Sequence, residues 1–498
     1  MTCTALGLSD TVVVMVRVRF APSPTGYLHV GGLRTALYNY LFAKHHGGVC
    51  ILRIEDTDRT RFVEGAAEAL IEILRWAGIE FDESPEKGGA YGPYVQSERF
   101  DLYRHYAAEL VQRGAAYYAF DTPEELEAMR KRMQDAGIAW RYDRTSMRNQ
   151  YTLGEAETHR LLESNAPRTI RMKVPLSGTI RFDDLVRGTI EVPARDVDDQ
   201  ILLKSDNFPT YHLANIVDDH LMRITHVIRG EEWLPSTPKH VLLYDAMGWE
   251  RPAFAHLPLL LNPDKTKLSK RQGDVAVEDY RQKGYFREAL INFVALLGWN
   301  PSSNREIFSM QELIEHFDLT KVNKAGAVFD IQKLEWMNSE YLRAKPLDEL
   351  ARELLPTLQE QGINPSLEYL ARVIGLVRER IHKLCDVPSF AAYMFSAPAE
   401  YEPAYKAQYW RPDYAAPMQA LTERLAELTP WSASILQETV KAFTKESGLK
   451  IGILMNLLRL TITGRSVGAG MPETMELLGK DECIRRITTA LQQFSLES

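Results

Sequence analysis

Three segments far apart in the chain carry residue types suited to phosphoryl chemistry. They are Pro22-Ser23-Pro24-Thr25-Gly26-Tyr27-Leu28-His29-Val30-Gly31-Gly32, Pro209-Thr210-Tyr211-His212-Leu213-Ala214-Asn215 and Lys267-Leu268-Ser269-Lys270-Arg271. The first follows the β-branched run Val12-Val13-Val14 with Val16 and Val18, and leads into Leu33 to Leu41, where apolar residues recur at helical spacing. This predicts strand, tight turn, helix. The N-terminus of such a helix points N–H groups and its positive dipole end at whatever sits above the strand, which suits a phosphate. Gly31 and Gly32 let a ligand come close, His29 offers a ring N–H to a phosphoryl oxygen, and Lys267 with Lys270 adds positive charge from a later loop. Taken singly, a Pro/Gly turn is most often just a turn and a Lys/Arg pentapeptide a solvated loop. Together they point to ATP, with Mg²⁺ sharing the charge. Nucleotidyl transfer to a carboxylate needs little from a general base, because the attacking oxygen is already ionised, so positioning and charge neutralisation dominate the barrier.

The elements that must hold these groups divide the chain at changes of pattern. Residues 1–16 form an N-terminal extension, with Met1 or Met15 as the start. Residues 17–114 alternate strand and helix, with Val49-Cys50-Ile51-Leu52 as a strand and Ala66 to Trp76 and Phe100 to Arg113 as helices. That alternation is typical of a parallel sheet and predicts a first Rossmann-like half. Residues 115–206 change character: a charged helix at Pro123 to Asp135 precedes short strands near Thr169 to Val174, Thr179 to Phe182 and Thr189 to Val192. Residues 207–260 return to helix and strand and complete the nucleotide fold at a crevice where strand ends meet. Residues 261–340 hold the KLSKR loop and helices at Phe286 to Leu297 and Ile331 to Tyr341. Residues 341–498 read as helix throughout, interrupted at Ala397 to Pro417.

Composition bounds the alternatives. At 498 residues and 45% hydrophobic, the chain predicts about three globular domains. Cys3, Cys50, Cys385 and Cys483 lie singly, without metal-site spacing, as free thiols in a reducing cytosol would. No run reaches membrane-helix length and no basic start announces a signal peptide, so a cytoplasmic, membrane-free protein is expected. The net charge of −8 limits any polyanion to a local basic stripe, with affinity that falls quickly with salt.

The three segments, with Arg53-Ile54-Glu55-Asp56-Thr57-Asp58, Gly92-Pro93-Tyr94, Val217-Asp218-Asp219-His220, Ile228-Arg229-Gly230-Glu231-Glu232-Trp233 and Phe329-Asp330-Ile331-Gln332-Lys333-Leu334, resemble the class I glutamyl-tRNA synthetases of bacterial type. The first carries the HIGH-like signature and the third the KMSKS-like loop. The resemblance is strong over roughly the first two thirds. It implies an α/β class I catalytic domain with an α+β acceptor-binding insertion, an all-helical anticodon-binding region, and a monomer that joins glutamate to tRNA(Glu) through a glutamyl-adenylate. It places Arg19 on the side-chain carboxylate, Ala21, Ser23 and Glu55 around the ammonium, and Tyr211, Asn215 and Arg229 in the remaining cage. Residue chemistry agrees: glutamate needs one carboxylate for its ammonium and planar arginine forks for its own carboxylates. Arg19, Ala21 and Ser23 also alternate onto one face of an extended segment.

Bland readings of the same residues are that Arg19 and Arg229 are surface cations and that Glu55-Asp56-Thr57-Asp58 is a solvated loop or a helix cap. A metal site from His212, Asp218, Asp219 and His220 is disfavoured by the Tyr-His-Leu-x-Asn context. Two departures from the family pattern stand out. Gly32 replaces the second histidine of the signature, which shifts phosphate binding onto Lys270 and the helix amides. The Ala115 to Arg144 stretch lacks the cysteine and histidine ligands that hold zinc in some relatives, so no zinc is expected and Tyr117, Tyr118 and Phe120 occupy that region. Arg378 and Arg380 match the region where an arginine restricts anticodon readout, Arg380 in the better register, and lean the reading towards an enzyme that charges tRNA(Glu) alone. The alternatives are a relaxed enzyme that also charges tRNA(Gln), a glutaminyl-tRNA synthetase, and a catalytically idle nucleotide- or RNA-binding relative. Lys270→Ala is expected to slow adenylate formation by a large factor with little change in glutamate binding, because its charge is used mainly in the transition state. Unchanged single-turnover rates would remove Lys270 from the chemistry.

Overall fold

The computed structural model describes residues 15–57, 63–268, 276–301 and 304–496. The described residues form two compact units, one running to Arg281 and including Leu290–Asp330, the other comprising Gln282–Ala289 and the chain from Ile331. In the first unit, strand β1 (Arg17–Phe20) leads through the Pro/Gly turn into helix α1 (Val30–His45) and returns as β2 (Val49–Leu52), parallel to β1 with Arg19 opposite Ile51. Leu33, Ala36, Leu37 and Leu41 of α1 are fully buried, as their helical spacing predicts. Helix α2 (Ala66–Trp76) and helix α3 (Phe100–Gln112) follow.

The next segment opens with β3 (Ala116–Ala119) and α4 (Pro123–Asp135). The helix starts where the sequence says it should: Thr122 and Glu125 form a reciprocal capping box and proline occupies the first turn. Short helices α5 (Gln150–Leu153) and α6 (Glu155–Glu163) precede strands β4 (Thr169–Met172), β5 (Thr179–Asp184), β6 (Gly188–Pro193) and β7 (Ile201–Leu203). Strands β3, β4 and β7 form an antiparallel sheet. Beneath it Tyr117, Ala119, Tyr142 and Met147 make a small core. The two phenols are buried with partners: Tyr117 donates to Asp199 at 2.7 Å and Tyr142 to Asp121 at 2.6 Å.

Helix α7 (Tyr211–Leu221), β8 (His226–Gly230), helix α8 (Thr237–Met247) and β9 (Ala253–Leu257) complete the unit's site-bearing part. The sheet order is β6-β5-β9-β8, with β8, β9 and β5 parallel and β6 antiparallel, a mixed sheet. Two strands from the stretch expected as an insertion are therefore built into the sheet that carries Arg229. The start of β1 is tied alongside by the Thr225 amide donating to the Arg17 carbonyl at 2.9 Å.

The second unit is helical over its described residues from Ile331. Helix Ile331–Ala344 runs three residues beyond the expected Tyr341 and stops just before Lys345-Pro346, where proline restricts the preceding residue. The expected break at 397–417 contains a short helix, Pro403–Tyr409, which starts at a proline and buries Tyr405. Gly464 ends helix Ile451–Thr463 at φ 70°, where an added Cβ would meet the Glu400 carbonyl at 2.7 Å.

A charged network lies at the centre of the first unit. Asp219 takes a bidentate pair from Arg19 at 3.0 and 3.2 Å and a further bond from Arg53 at 2.8 Å. Arg53 also reaches Glu55 at 3.1 Å. Neighbouring Asp218 accepts from Arg99, Gln96 and Tyr103 at 2.7, 2.9 and 2.8 Å. All six charged members are buried. Removing one member leaves a charge without its partner in a low-dielectric interior, so Arg53→Met should destabilise the protein by about 3–5 kcal/mol, read from denaturant unfolding. A loss below about 1 kcal/mol, the range of an exposed pair, would show that the network is not structural.

Candidate active site

A cavity of about 680 Å³ opens where β1, the first turn of α1, the end of β2, the start of α7 and the end of β8 converge. Arg19, Ala21, Ser23, His29, Gly31, Gly32, Glu55, Tyr211, Asn215 and Arg229 all line it. Ten of the side chains or backbones singled out from the sequence, drawn from four distant segments, thus face one space.

His29 caps α1. Its Nδ1 accepts the Gly31 amide at 3.0 Å, which places the ring proton on Nε2 and directs a donor away from the helix end. The same bond spends the Gly31 amide on the cap. The helix end could therefore hold an anion through His29 and the amides beyond Gly31, but not through every first-turn N–H. An added Cβ on Gly32 would come within 2.8 Å of Leu28, so the glycine also lets the turn close on the helix.

Glu55 follows β2 and is held by Arg53 from behind. Burial pushes its carboxyl up, while Arg53 and Arg19 pull it back, and the net effect leaves it above the ordinary carboxylate value. Asp219 goes the other way: burial raises it, but Arg19 and Arg53 bring it below its usual range. Arg19 lines the cavity with its fork already engaged by Asp219, so it meets a ligand as part of a fixed ion pair.

Tyr211 and Asn215 lie one helical turn apart on α7 and share its inward face. Arg229, at the end of β8, is 5% exposed. It donates to the Tyr211 hydroxyl at 2.8 Å, the Thr237 hydroxyl at 2.9 Å and His256 Nε2 at 3.1 Å. Among the described residues no carboxylate pairs with it directly. Trp233 rests on Tyr211 with ring centroids 4.3 Å apart and remains 38% exposed at the cavity edge.

His212, Asp218, Asp219 and His220 do not converge. The His212 ring meets His240 at 3.2 Å and is lowered to about 3 by burial and by Lys239 and Arg229. The two aspartates belong to the arginine network, and His220 stacks on Trp249 at 3.9 Å. Among the described residues no three His, Cys, Asp or Glu side chains gather to hold a metal. Lys267 is exposed, its backbone bridges to Leu261, and it is not among the residues lining the cavity. Lys270 lies outside the described residues. In the second unit, Arg378 and Arg380 sit on a 3-10 turn directly after helix Leu367–Val377, Arg378 donating to the Arg343 carbonyl at 3.3 Å and Arg380 exposed. His240, His256 and Asp184, which surround Arg229, carried no signal in the sequence, since each lies in a different element and none sits in a motif.

Comparison with known proteins is concordant over nearly the whole chain. Residues 15–336 match the family model described as tRNA synthetases class I (E and Q), catalytic domain, and residues 349–491 match the anticodon binding domain. A glutamate–tRNA ligase of Chlorobaculum parvum is 48% identical over 495 residues, covering 97% of this chain and 98% of the relative. That of Chloroherpeton thalassium is 48% identical over 496 residues, covering 97% and 99%. The crystal structure of a glutamate tRNA ligase from Elizabethkingia meningosepticum in complex with its amino acid superposes with a TM-score of 0.92 at 45% identity, covering 96% of this chain and 99% of that one.

Proposed function

The chain belongs to the class I tRNA synthetases for glutamate and glutamine, and on that premise we propose that it is a glutamate–tRNA ligase whose pocket is the cavity between His29 and Arg229. The observation that carries the amino-acid assignment is the contrast between Glu55 and Arg229, a carboxylate and a guanidinium with no carboxylate partner among the described residues, lining one cavity. Glu55 takes the ammonium with Ala21 and Ser23 beside it. Arg229, Tyr211 and Asn215, with the Arg19–Asp219 pair, form the cage for the carboxylates. A glutamine amide would leave part of that cationic cage without its charge-assisted partner, which disfavours the glutaminyl reading.

With glutamate so held, an α-carboxylate oxygen attacks the α-phosphorus of ATP, the bond to the bridging oxygen breaks, and pyrophosphate leaves. His29 Nε2 and the amides at the α1 N-terminus hold phosphoryl oxygens during the attack, and Lys267 and Lys270 of the later loop offset charge on the leaving group. Mg²⁺ bound with the triphosphate would share in neutralising its charge. In the second step a terminal ribose hydroxyl of tRNA attacks the mixed anhydride and AMP departs. The 115–206 segment receives the acceptor end and the helical unit the anticodon, where Arg380 restricts the last base and confines charging to tRNA(Glu). We infer a cytoplasmic monomer, as the family resemblance implies. Among the described residues no helix is long and apolar enough to cross a membrane.

Attachment of radiolabelled glutamate to tRNA(Glu) and tRNA(Gln), side by side with ATP and Mg²⁺, tests this. Charging of tRNA(Glu) alone is expected. Charging of both would keep the ligase but remove the role of Arg380, and charging of neither would favour the idle relative. A second test uses pH. Glu55 must be ionised to hold the ammonium, and its value lies above the ordinary carboxylate range, so KM for glutamate should rise as pH falls through that raised value, above 4.5. In Glu55→Gln the KM should already be high, by about tenfold or more, and lose that pH dependence. A parallel rise in mutant and parent would assign the titration to glutamate itself.

A further inference from the structure

The arginine that the proposed function sets against a substrate carboxylate is itself held by two buried groups with no role in that function. Arg229 on β8 stands opposite His256 on β9 in the parallel register, and Asp184 ends β5 on the other side of β9. His256 Nδ1 lies 2.6 Å from Asp184 Oδ2, and His256 Nε2 accepts from Arg229 Nε at 3.1 Å. The three side chains cross three adjacent strands in a line, at 3%, 0% and 5% exposure for Asp184, His256 and Arg229.

The proton positions follow from donor chemistry. An arginine Nε–H only donates, so His256 Nε2 must be the bare nitrogen and Nδ1 must carry the hydrogen given to Asp184. Asp184 cannot turn away, because its other oxygen accepts the Val186 and Arg187 amides at 3.0 and 2.8 Å. The remaining partners of Arg229 are the Tyr211 and Thr237 hydroxyls, the Trp233 carbonyl at 3.5 Å and His240 at 3.4 Å, all of them neutral. The guanidinium is thus fixed in orientation by neutral acceptors, and among the described residues no carboxylate spends its charge. A carboxylate in the place of His256 would orient it equally well and neutralise it.

We propose that Asp184 and His256 are positioning residues for glutamate recognition: the carboxylate sets the imidazole tautomer, and the imidazole aims Arg229 into the cavity while leaving its charge for the substrate carboxylate. The inference rests on the proposed glutamate pocket. It also gives the 115–206 segment a part in amino-acid selection, since Asp184 comes from it.

The test is Asp184→Asn. The amide carbonyl must stay on the Val186 and Arg187 amides, so the new NH₂ faces His256 Nδ1 and forces the imidazole proton onto Nε2, against the Arg229 Nε–H. KM for glutamate should rise about tenfold to a hundredfold, with KM for ATP and kcat at saturating glutamate little changed. His256→Gln and His256→Leu supply a readout that packing alone would not move. The glutamine oxygen can replace the Nε2 acceptor and should hold KM for glutamate near the parent value, whereas leucine should raise it as Asp184→Asn does. If Asp184→Asn does not fold, the histidine pair decides the matter. An unchanged glutamate KM in Asp184→Asn, or equal values for the glutamine and leucine variants, overturns the relay while the parent's charging of tRNA(Glu) keeps the proposed function intact. A parent that neither charges nor binds glutamate by calorimetry overturns both.

Discussion

The buried pairing of arginines with Asp218 and Asp219 is the constraint from which the first unit's geometry follows. Both aspartates lie near the C-terminal end of α7, where the helix dipole disfavours negative charge, so they require cations. Those cations come from β1, from the end of β2 and from the 3-10 turn at Gln96–Arg99. A buried ion pair contributes little net stability against an apolar alternative, but breaking one is expensive, and that asymmetry gives specificity of arrangement. Any packing of α7 that left these carboxylates out of register with the arginines would carry uncompensated charge. The network therefore sets where Asn215 and Tyr211, one and two turns up the same helix, meet the strand ends.

That placement separates two uses of arginine around one cavity. Arg19, Arg53 and Arg99 are neutralised by protein carboxylates and act as scaffold, with Arg19 reaching the cavity wall as half of an ion pair. Arg229 is surrounded by hydroxyls, imidazoles and the Trp233 carbonyl. Burial and the adjacent Arg229 charge hold His240 well below its ordinary value, so the histidines add no charge of their own. The cavity consequently has a cationic spot with no carboxylate partner among the described residues, lining the same space as a carboxylate whose proton affinity is raised by burial. A zwitterion bearing an additional carboxylate complements both.

Much of this was legible in the sequence because the informative residues sit in compact motifs bounded by turn chemistry. The strand, turn and helix from Arg17 to His45 follow from periodicity and glycine placement, and α4 from its capping box. Legibility failed where a pattern had two physical solutions. Arg17-Val18-Arg19-Phe20 alternates like a half-exposed strand, yet all four residues are buried, because Arg17 pairs with Glu83 at 3.0 Å and Arg19 with Asp219. Alternation reports polarity, and polarity equals exposure only when no partner charge lies in another segment. The strands β5 and β6 read as part of an insertion because they follow β3 and β4 along the chain; their place beside β9 depends on tertiary pairing that short local windows do not encode. His256 was invisible for the same reason, since its meaning lies in the residue opposite it across a sheet.

The cavity's composition also bears on how selectivity and charge coexist in an acidic protein. With a net charge of −8, long-range attraction of two anionic substrates, glutamate and ATP, cannot come from the molecule as a whole. It must arise locally, from cations held where solvent screening is weak. On the proposed assignment of Arg229, burying it among neutral acceptors does this: the guanidinium is desolvated during folding, with hydrogen bonds offsetting that penalty, so a ligand carboxylate would meet an oriented guanidinium instead of a hydrated surface cation. A surface arginine would be screened within about a Debye length of 8 Å at physiological salt, whereas a buried one keeps its preference for a carboxylate. Selectivity for an anionic side chain then becomes a property of the folded sheet, independent of the overall charge, and the acidic surface can serve solubility while the cavity serves recognition.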